Sequence, residues 1–288
     1  MTGKCQLCNQ TESLRESHLI PKYIFKWIKD TGSGHLRSAE NLNIRRQDGP
    51  KYYFLCDNCE NLFSGFETYF AKEVFYPIVN DGADRFDYNH KVHLFVLSVL
   101  WRLVKQDFLP EESEPAYRRL LTNLEEEWRR YLLGEKKLKD FNRVHLLCGV
   151  DVRHPNEIDE LNTPDRFIHY FARYVDAGIT GNQEHKFLYL KLPRMLFIVP
   201  IQGLQEDRFQ NTAIHIAGGV YLLEDAGILE PLIGCYFLNR VRQINELFFE
   251  VSPNQRQKLA DLSEDKWPEI KSKDLGVILD YQHRQQKG

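Results

Sequence analysis

Two Cys-x-x-Cys pairs, Cys5/Cys8 and Cys56/Cys59, constrain this chain more than any other feature. Each pair turns tightly enough to offer two sulfurs on one side, and four thiolates are what one tetrahedral zinc ion takes. The 47 residues between the pairs must then fold so that both ends meet at the metal. With sulfur at all four positions no coordination site stays open, so this zinc is expected to be structural. A segment this short lacks a sizeable core, so metal binding and folding are expected to be one event.

At 288 residues, 42 % apolar and 27 % charged, the chain is long enough for a small module plus a larger domain. A net charge of −3 argues against coating nucleic acid by bulk charge. Locally the balance differs, because residues 1–55 hold nine basic against five acidic side chains, which makes the zinc end the basic end. The polar opening with a cysteine at position 5 shows no signal-peptide pattern, and a reducing cytoplasm is the expected compartment. Apolar runs such as 92–100 and 195–201 fall short of the ~20 residues of a membrane helix, so no membrane association is expected. Cys148 and Cys235 lie among apolar neighbours and read as small buried hydrophobes.

Periodicity divides residues 1–80 into a knuckle, a short strand ending near His18, a helix, a hairpin, a second knuckle and a second helix. Pro21 suits a first helical turn, Tyr23, Ile24, Trp27 and Ile28 repeat at helical spacing, and Thr31-Gly32-Ser33-Gly34 ends the run after Asp30. Residues 42–46 and 51–55 flank Asp48-Gly49, a hairpin-turn signal. Leu62, Phe63, Phe66, Phe70 and Val74 form a helical stripe expected to pack on that hairpin. Beyond, residues 89–107 predict a buried helix and 114–133 an amphipathic one. Strands are expected at 144–150, 187–192, 195–201 and 213–216, with helices at 164–175 and 228–250. The fold class expected is α+β, with a module at 1–80, a helical and mixed α/β domain at 81–280 and a disordered tail at 281–288.

The order Cys5-x-x-Cys8, Ser17-His18-Leu19-Ile20-Pro21, Asn41-Leu42 and Leu55-Cys56-x-x-Cys59 resembles the zinc-knuckle branch of the HNH, or ββα-metal, endonucleases. The resemblance covers about the first 75 residues. It implies a zinc-bound ββα unit that hydrolyses phosphodiester bonds with the help of one divalent ion, magnesium or manganese. By matching position, His18 is the general base and Asn41, with Asn43 as the alternative, orients it. DNA is the implied substrate, a regulatory protein partner the implied means of release, and bacterial restriction or phage defence the implied setting.

The residue types suit that chemistry, since an imidazole is a usable base at neutral pH and a divalent cation neutralises charge developing on the phosphate. The family commonly places an Asp directly before the His to hold the ion, whereas this chain has Ser17 there and Glu16 one residue earlier. Strand alternation puts Glu16 on the face of His18, and Glu60, Asn61 and Glu67 on the following helix are further candidate ligands. Lys22, Arg45, Arg46 and Lys51 are the candidate phosphate contacts. Each has a plainer competitor: His18 as a hydrogen-bonded structural ring, Glu67 and Asn61 as a solvated helix face, and the basic hairpin as a soluble edge. The whole module has one too, a zinc-dependent nucleic-acid-binding or protein-interaction unit that does not cut. Elsewhere, His145 with Cys148 and the His90/His93 step lack partners at ligand spacing, Gly218-Gly219 reads as a turn, and His169 and His215 read as core histidines.

Overall fold

In the computed structural model, which describes residues 1–37, 42–106, 115–138, 143–148, 166–255, 257 and 267–285, both knuckles sit where strands end. Strands β1 (Thr2–Lys4) and β2 (Thr11–His18) form an antiparallel hairpin whose connection is the first knuckle. There the Cys5 amide donates to Gln10 O at 2.8 Å and the Asn9 amide to Cys5 O at 2.9 Å. Asn9 takes a left-handed φ of 63°, a conformation asparagine tolerates better than most residues. Helix α1 (Lys22–Asp30) buries Ile24 and Trp27 and stops where expected. Two short strands follow, β3 (Leu36–Arg37) and β4 (Arg45–Arg46), and then β5 (Lys51–Cys56), which delivers the second knuckle to the start of α2 (Asp57–Phe70).

The hairpin expected around Asp48-Gly49 does not form. β4 pairs with β3, while β5 pairs with β2, from Leu14↔Cys56 to His18↔Lys51. Pro50 has no N–H to give a ladder, and Asp48 turns its carboxylate onto His18 instead of shaping a two-residue turn. Gly49 answers a need for space: a Cβ there would lie 2.2 Å from the Phe25 ring. The resulting sheet order, β1-β2-β5, with α2 packed behind it, is a zinc-end ββα unit whose two long strands are separated by α1 and the β3–β4 pair.

α2 buries Cys59, Phe63, Phe66 and Phe70 and continues through π-helical turns to Asp81, which carry Val74 inward. Leu62, counted in the same stripe, is exposed instead. The chain then forms β6 (Arg85–Asn89), the buried helix α3 (His90–Gln106) and α4 (Pro115–Leu132), whose Leu121, Leu124, Trp128 and Leu132 face inward. Next come β7 (Val144–Cys148), α5 (Phe167–Arg173), β8 (Asp176–Gly181), β9 (Lys186–Leu192) and β10 (Met195–Gln202). β11 (Phe209–Gln210), β12 (Ala213–Ile214), β13 (Gly218–Leu222), β14 (Gly227–Ile228), α6 (Pro231–Phe249) and α7 (Asp274–Gln285) follow.

The central sheet is antiparallel, in the order β12-β7-β10-β9-β8. Its strands β9 and β10 are apolar at almost every consecutive position, the buried Lys191 apart, because both faces are covered. Leu188, Leu190, Leu192, Met195, Phe197 and Val199 join the core shared with α3, whereas Phe187, Tyr189, Leu196 and Ile198 join a second core under α6. The first core runs without a break from Cys5 to Tyr221, so the boundary expected at residue 80 falls inside one cluster of buried side chains. Trp101 of α3 packs edge-on against Phe54 and Phe63, and Phe95 stacks on Phe70 with ring centroids 3.9 Å apart.

The architecture is α+β, as expected, and among the described residues no helix is long and apolar enough to cross a membrane. Four local expectations change. Gly218-Gly219 opens a strand paired with β6, where a Cβ at 218 would lie 2.4 Å from Tyr88 O. Cys235 and His215 are exposed. The segment expected to be disordered from 281 is helical through Gln285, and 286–288 lie outside the described residues.

Candidate metal centre and histidine site

Because the first knuckle closes the β1–β2 hairpin and the second joins β5 to α2, pairing β2 with β5 brings all four cysteines together. Their sulfurs lie within 4.8 Å of one another. A tetrahedron with Zn–S bonds of ~2.3 Å has edges of about 3.8 Å, and Cys8 Sγ and Cys56 Sγ are 3.8 Å apart. The amide of Cys56 donates to Cys5 Sγ at 3.4 Å. Burial raises the pKa of the Cys5 thiol, but the amides of Cys56, Cys8 and Leu7 outweigh it and the net shift is downward. Cys59 is pushed far up, by burial first and then by the neighbouring sulfurs. Four crowded thiols cannot all ionise without a cation among them, so the donor set, its spacing and its electrostatics fit a structural zinc ion.

His18 sits at the end of β2, with its side chain 18 % exposed. Its Nε2 lies 2.9 Å from Asp48 Oδ2, while the other carboxylate oxygen accepts from the Gly49 amide at 2.9 Å and Lys51 Nζ stands 3.3 Å away. Burial works to raise the pKa of Asp48, yet the His18 hydrogen bond, the Gly49 amide and Lys51 prevail and hold it below the ordinary carboxylate value. An ionised carboxylate only accepts, so Nε2 carries the proton, and in the neutral ring Nδ1 carries the lone pair. Asp48, 30 residues away in sequence and visible there only as a turn former, is the orienting group that sequence reasoning missed. Asn41 lies outside the described residues. Asn43 is engaged elsewhere: its amide donates to Glu250 O at 3.4 Å and accepts from the Ser252 amide at 3.0 Å.

The candidate ligands for a second ion are dispersed. A bulge falls between Arg15 and Glu16, leaving Glu16 exposed opposite Tyr53. Ser17 is the buried residue facing α2, and its hydroxyl donates to Glu60 Oε2 at 2.6 Å. Asn61 is exposed, and Glu67 accepts from Arg102 Nη2 at 2.7 Å. Among the described residues, the four cysteines are the one group of three or more His, Cys, Asp or Glu side chains close enough to share an ion. Among the described residues, the side chains expected to hold magnesium or manganese are thus not gathered into one site. Lys22, Arg45 and Arg46 are exposed, whereas Lys51 is drawn to Asp48.

Compared with protein-family models, with curated proteins and with solved structures, the chain matches none.

Proposed function

We propose that this protein is an endonuclease of the HNH type that hydrolyses phosphodiester bonds in DNA. One observation carries the reading: an imidazole at the end of a zinc-end β strand, oriented through Nε2 by an ionised carboxylate so that Nδ1 is left as a base. In this reading His18 Nδ1 accepts a proton from the water that attacks phosphorus, the new P–O bond forms as the bond to the 3′ oxygen breaks, and the departing alkoxide takes its proton from solvent water. Asp48 fixes the ring and stabilises the imidazolium that forms, and Lys22, Arg45 and Arg46 contact phosphates. The zinc holds the strand ends and takes no part in the reaction. A second ion has no part in this reading, because among the described residues its expected ligands lie apart. The setting implied by the family resemblance, restriction or phage defence under the control of a partner protein, belongs to the same reading.

A second reading, a nucleic-acid-binding module that does not cut, is favoured by the pairing of Glu67 with Arg102 and of Glu60 with Ser17. Purified protein incubated with supercoiled plasmid in magnesium, manganese or EDTA separates the two, with His18→Ala as the control and zinc content checked in both proteins. The nuclease reading expects nicking that His18→Ala abolishes. Absence of nicking in every condition, with DNA affinity falling steeply as salt rises, overturns it in favour of the binding module.

A further inference from the structure

The geometry points to Arg102, a residue of α3 outside the zinc end in sequence, as the positioning residue for His18. The inference rests on the proposed role of His18 and concerns what holds that ring in place.

Register explains why such a residue is needed. The Leu19 amide donates to Pro50 O at 3.1 Å, which makes Leu19 and Pro50 a hydrogen-bonded position of the β2–β5 ladder. In an antiparallel ladder bonded and non-bonded positions alternate, so at His18↔Lys51 the backbone groups point away from the partner strand. On that other side β1 pairs only with residues 11–13 of β2, so the ladder offers the His18 carbonyl nothing. Arg102 Nη1 supplies the missing donor at 2.8 Å.

The guanidinium is itself tightly held. Arg102 is 1 % exposed, its Nε donates to Ser98 O at 3.2 Å, its Nη2 to Glu67 Oε1 at 2.7 Å, and its carbon lies 5.2 Å from the Phe63 ring centroid. Three nitrogens thus reach three elements, the end of β2, the middle of α2 and α3 itself. A planar fork does this in a way that an ammonium, one point on a flexible stem, does not. Asp48 fixes the ring of His18, and Arg102 fixes the backbone from which the ring projects.

Two variants of the 288-residue, zinc-loaded protein test this. Arg102→Lys keeps the buried cation and loses the fork. Arg102→Met combined with Glu67→Gln removes both charges together, so neither is stranded, and a loss of folding in one variant leaves the other to decide. The readout is the pair of imidazole nitrogen shifts of His18 in 15N-labelled protein, assigned by their absence in His18→Ala. Wild type is expected to show a protonated Nε2 and an unprotonated Nδ1 at mildly alkaline pH. The folded variants are expected to show the averaged pattern of a ring free to exchange tautomers, at unchanged zinc content. Wild-type His18 shifts in a folded variant overturn the inference, even if nicking falls. If plasmid is nicked, kcat is expected to drop by about 100-fold at unchanged KM, the scale for a group displaced by roughly 1 Å. Absence of nicking in wild type rejects the nuclease reading alone, because the nitrogen shifts are read without catalysis.

Discussion

At the scale of single residues, the histidine site turns on Asp48. His18 was legible as a candidate because of its place between the knuckles, but its partner was not, since the β2–β5 register that brings positions 18 and 48 together is a long-range property. The same local signal, Asp before Gly, serves turns and side-chain acceptors alike. Replacing Asp48 with Asn keeps the shape and removes the charge, with an expected cost of about 1.5–3 kcal/mol at neutral pH, the range for a hydrogen bond to a charged group. The pH dependence follows from a carboxylate held below its ordinary value in the fold. Its contribution is complete above the unfolded value near pH 4 and is lost as pH falls through the folded value, because the unfolded chain binds the proton first. Urea unfolding between pH 3 and 7 is expected to show a shallower acid-side loss in Asp48→Asn than in wild type, and equal slopes would remove Asp48 as the source.

At the scale of elements, long buried segments were the legible ones. Residues 187–192 and 195–201 read as strands from apolar runs interrupted only by Lys191 and Pro200, and the structure shows why, with alternate side chains filling two different cores. The helix expected at 89–107 is α3, buried from Val92 almost continuously to Val104. What stayed hidden was pairing between distant short strands, such as β6 with β13, 218↔89 to 222↔85, and the polar Asp176 to Gly181 edge strand β8. Neither has the periodicity that a local window detects. Since Phe95 of α3 stacks on Phe70 of α2, truncating it to Ala is expected to cost about 3–5 kcal/mol and to loosen the zinc end together with the sheet. A single cooperative urea transition for that variant, shifted as a whole, would bear this out, whereas two separated transitions would show that the elements unfold independently.

The sheet also carries an acid sensitivity. His145 of β7 is fully buried, with Nδ1 2.9 Å from Thr212 Oγ1 and its ring stacked 4.0 Å from Phe209. Burial lowers its pKa to about 4, with Glu206 opposing and Arg143 adding to the effect, and burial likewise lowers His169 of α5 to about 3. Both rings are neutral in the folded protein, so below pH ~6.5 the unfolded chain takes up protons that the fold refuses. Stability is therefore expected to be unaffected by these groups above pH 6.5 and to fall below it, the His145 share being complete near pH 4 and the His169 share near pH 3. His145 alone accounts for about 3 kcal/mol over that window on an order-of-magnitude basis. His145→Gln, which cannot titrate, is expected to lower the slope of unfolding free energy against pH in that window, and an unchanged slope would point to other groups.

Across the whole molecule, one carboxylate holds together parts that sequence patterns treated as separate. Asp274, at the start of α7, stands between Arg173 of α5, at 2.6 Å, and Arg194, with which it also forms an ion pair. All three side chains are nearly buried. Arg194 occupies the β9–β10 turn with φ of 62°, a region costly for a residue bearing a Cβ. Arg173 reaches further, donating to Ile28 O at 2.7 Å and Thr31 Oγ1 at 3.1 Å at the end of α1, with its guanidinium 5.2 Å from the Trp27 ring centroid. The Leu275 amide adds a bond to Thr31 O at 3.3 Å. The C-terminal helix thus ties the zinc-end helix to the central sheet through a single acid. With that charge gone, two buried guanidiniums would face each other without an anion, the situation in which breaking a buried pair is expensive. Asp274→Asn is accordingly expected to lose about 3–5 kcal/mol in urea unfolding. Asp30→Asn, which removes the exposed partner of Lys26, is expected to leave the unfolding midpoint essentially where it is in wild type. Because Arg173 loses its anchor in the first variant, hydrogen exchange at the α1 amides is expected to accelerate there even though Asp274 lies on α7. A loss below about 1 kcal/mol with α1 exchange unchanged would show that apolar contacts, such as Ile278 against Ala172, hold α7 in place without the acid.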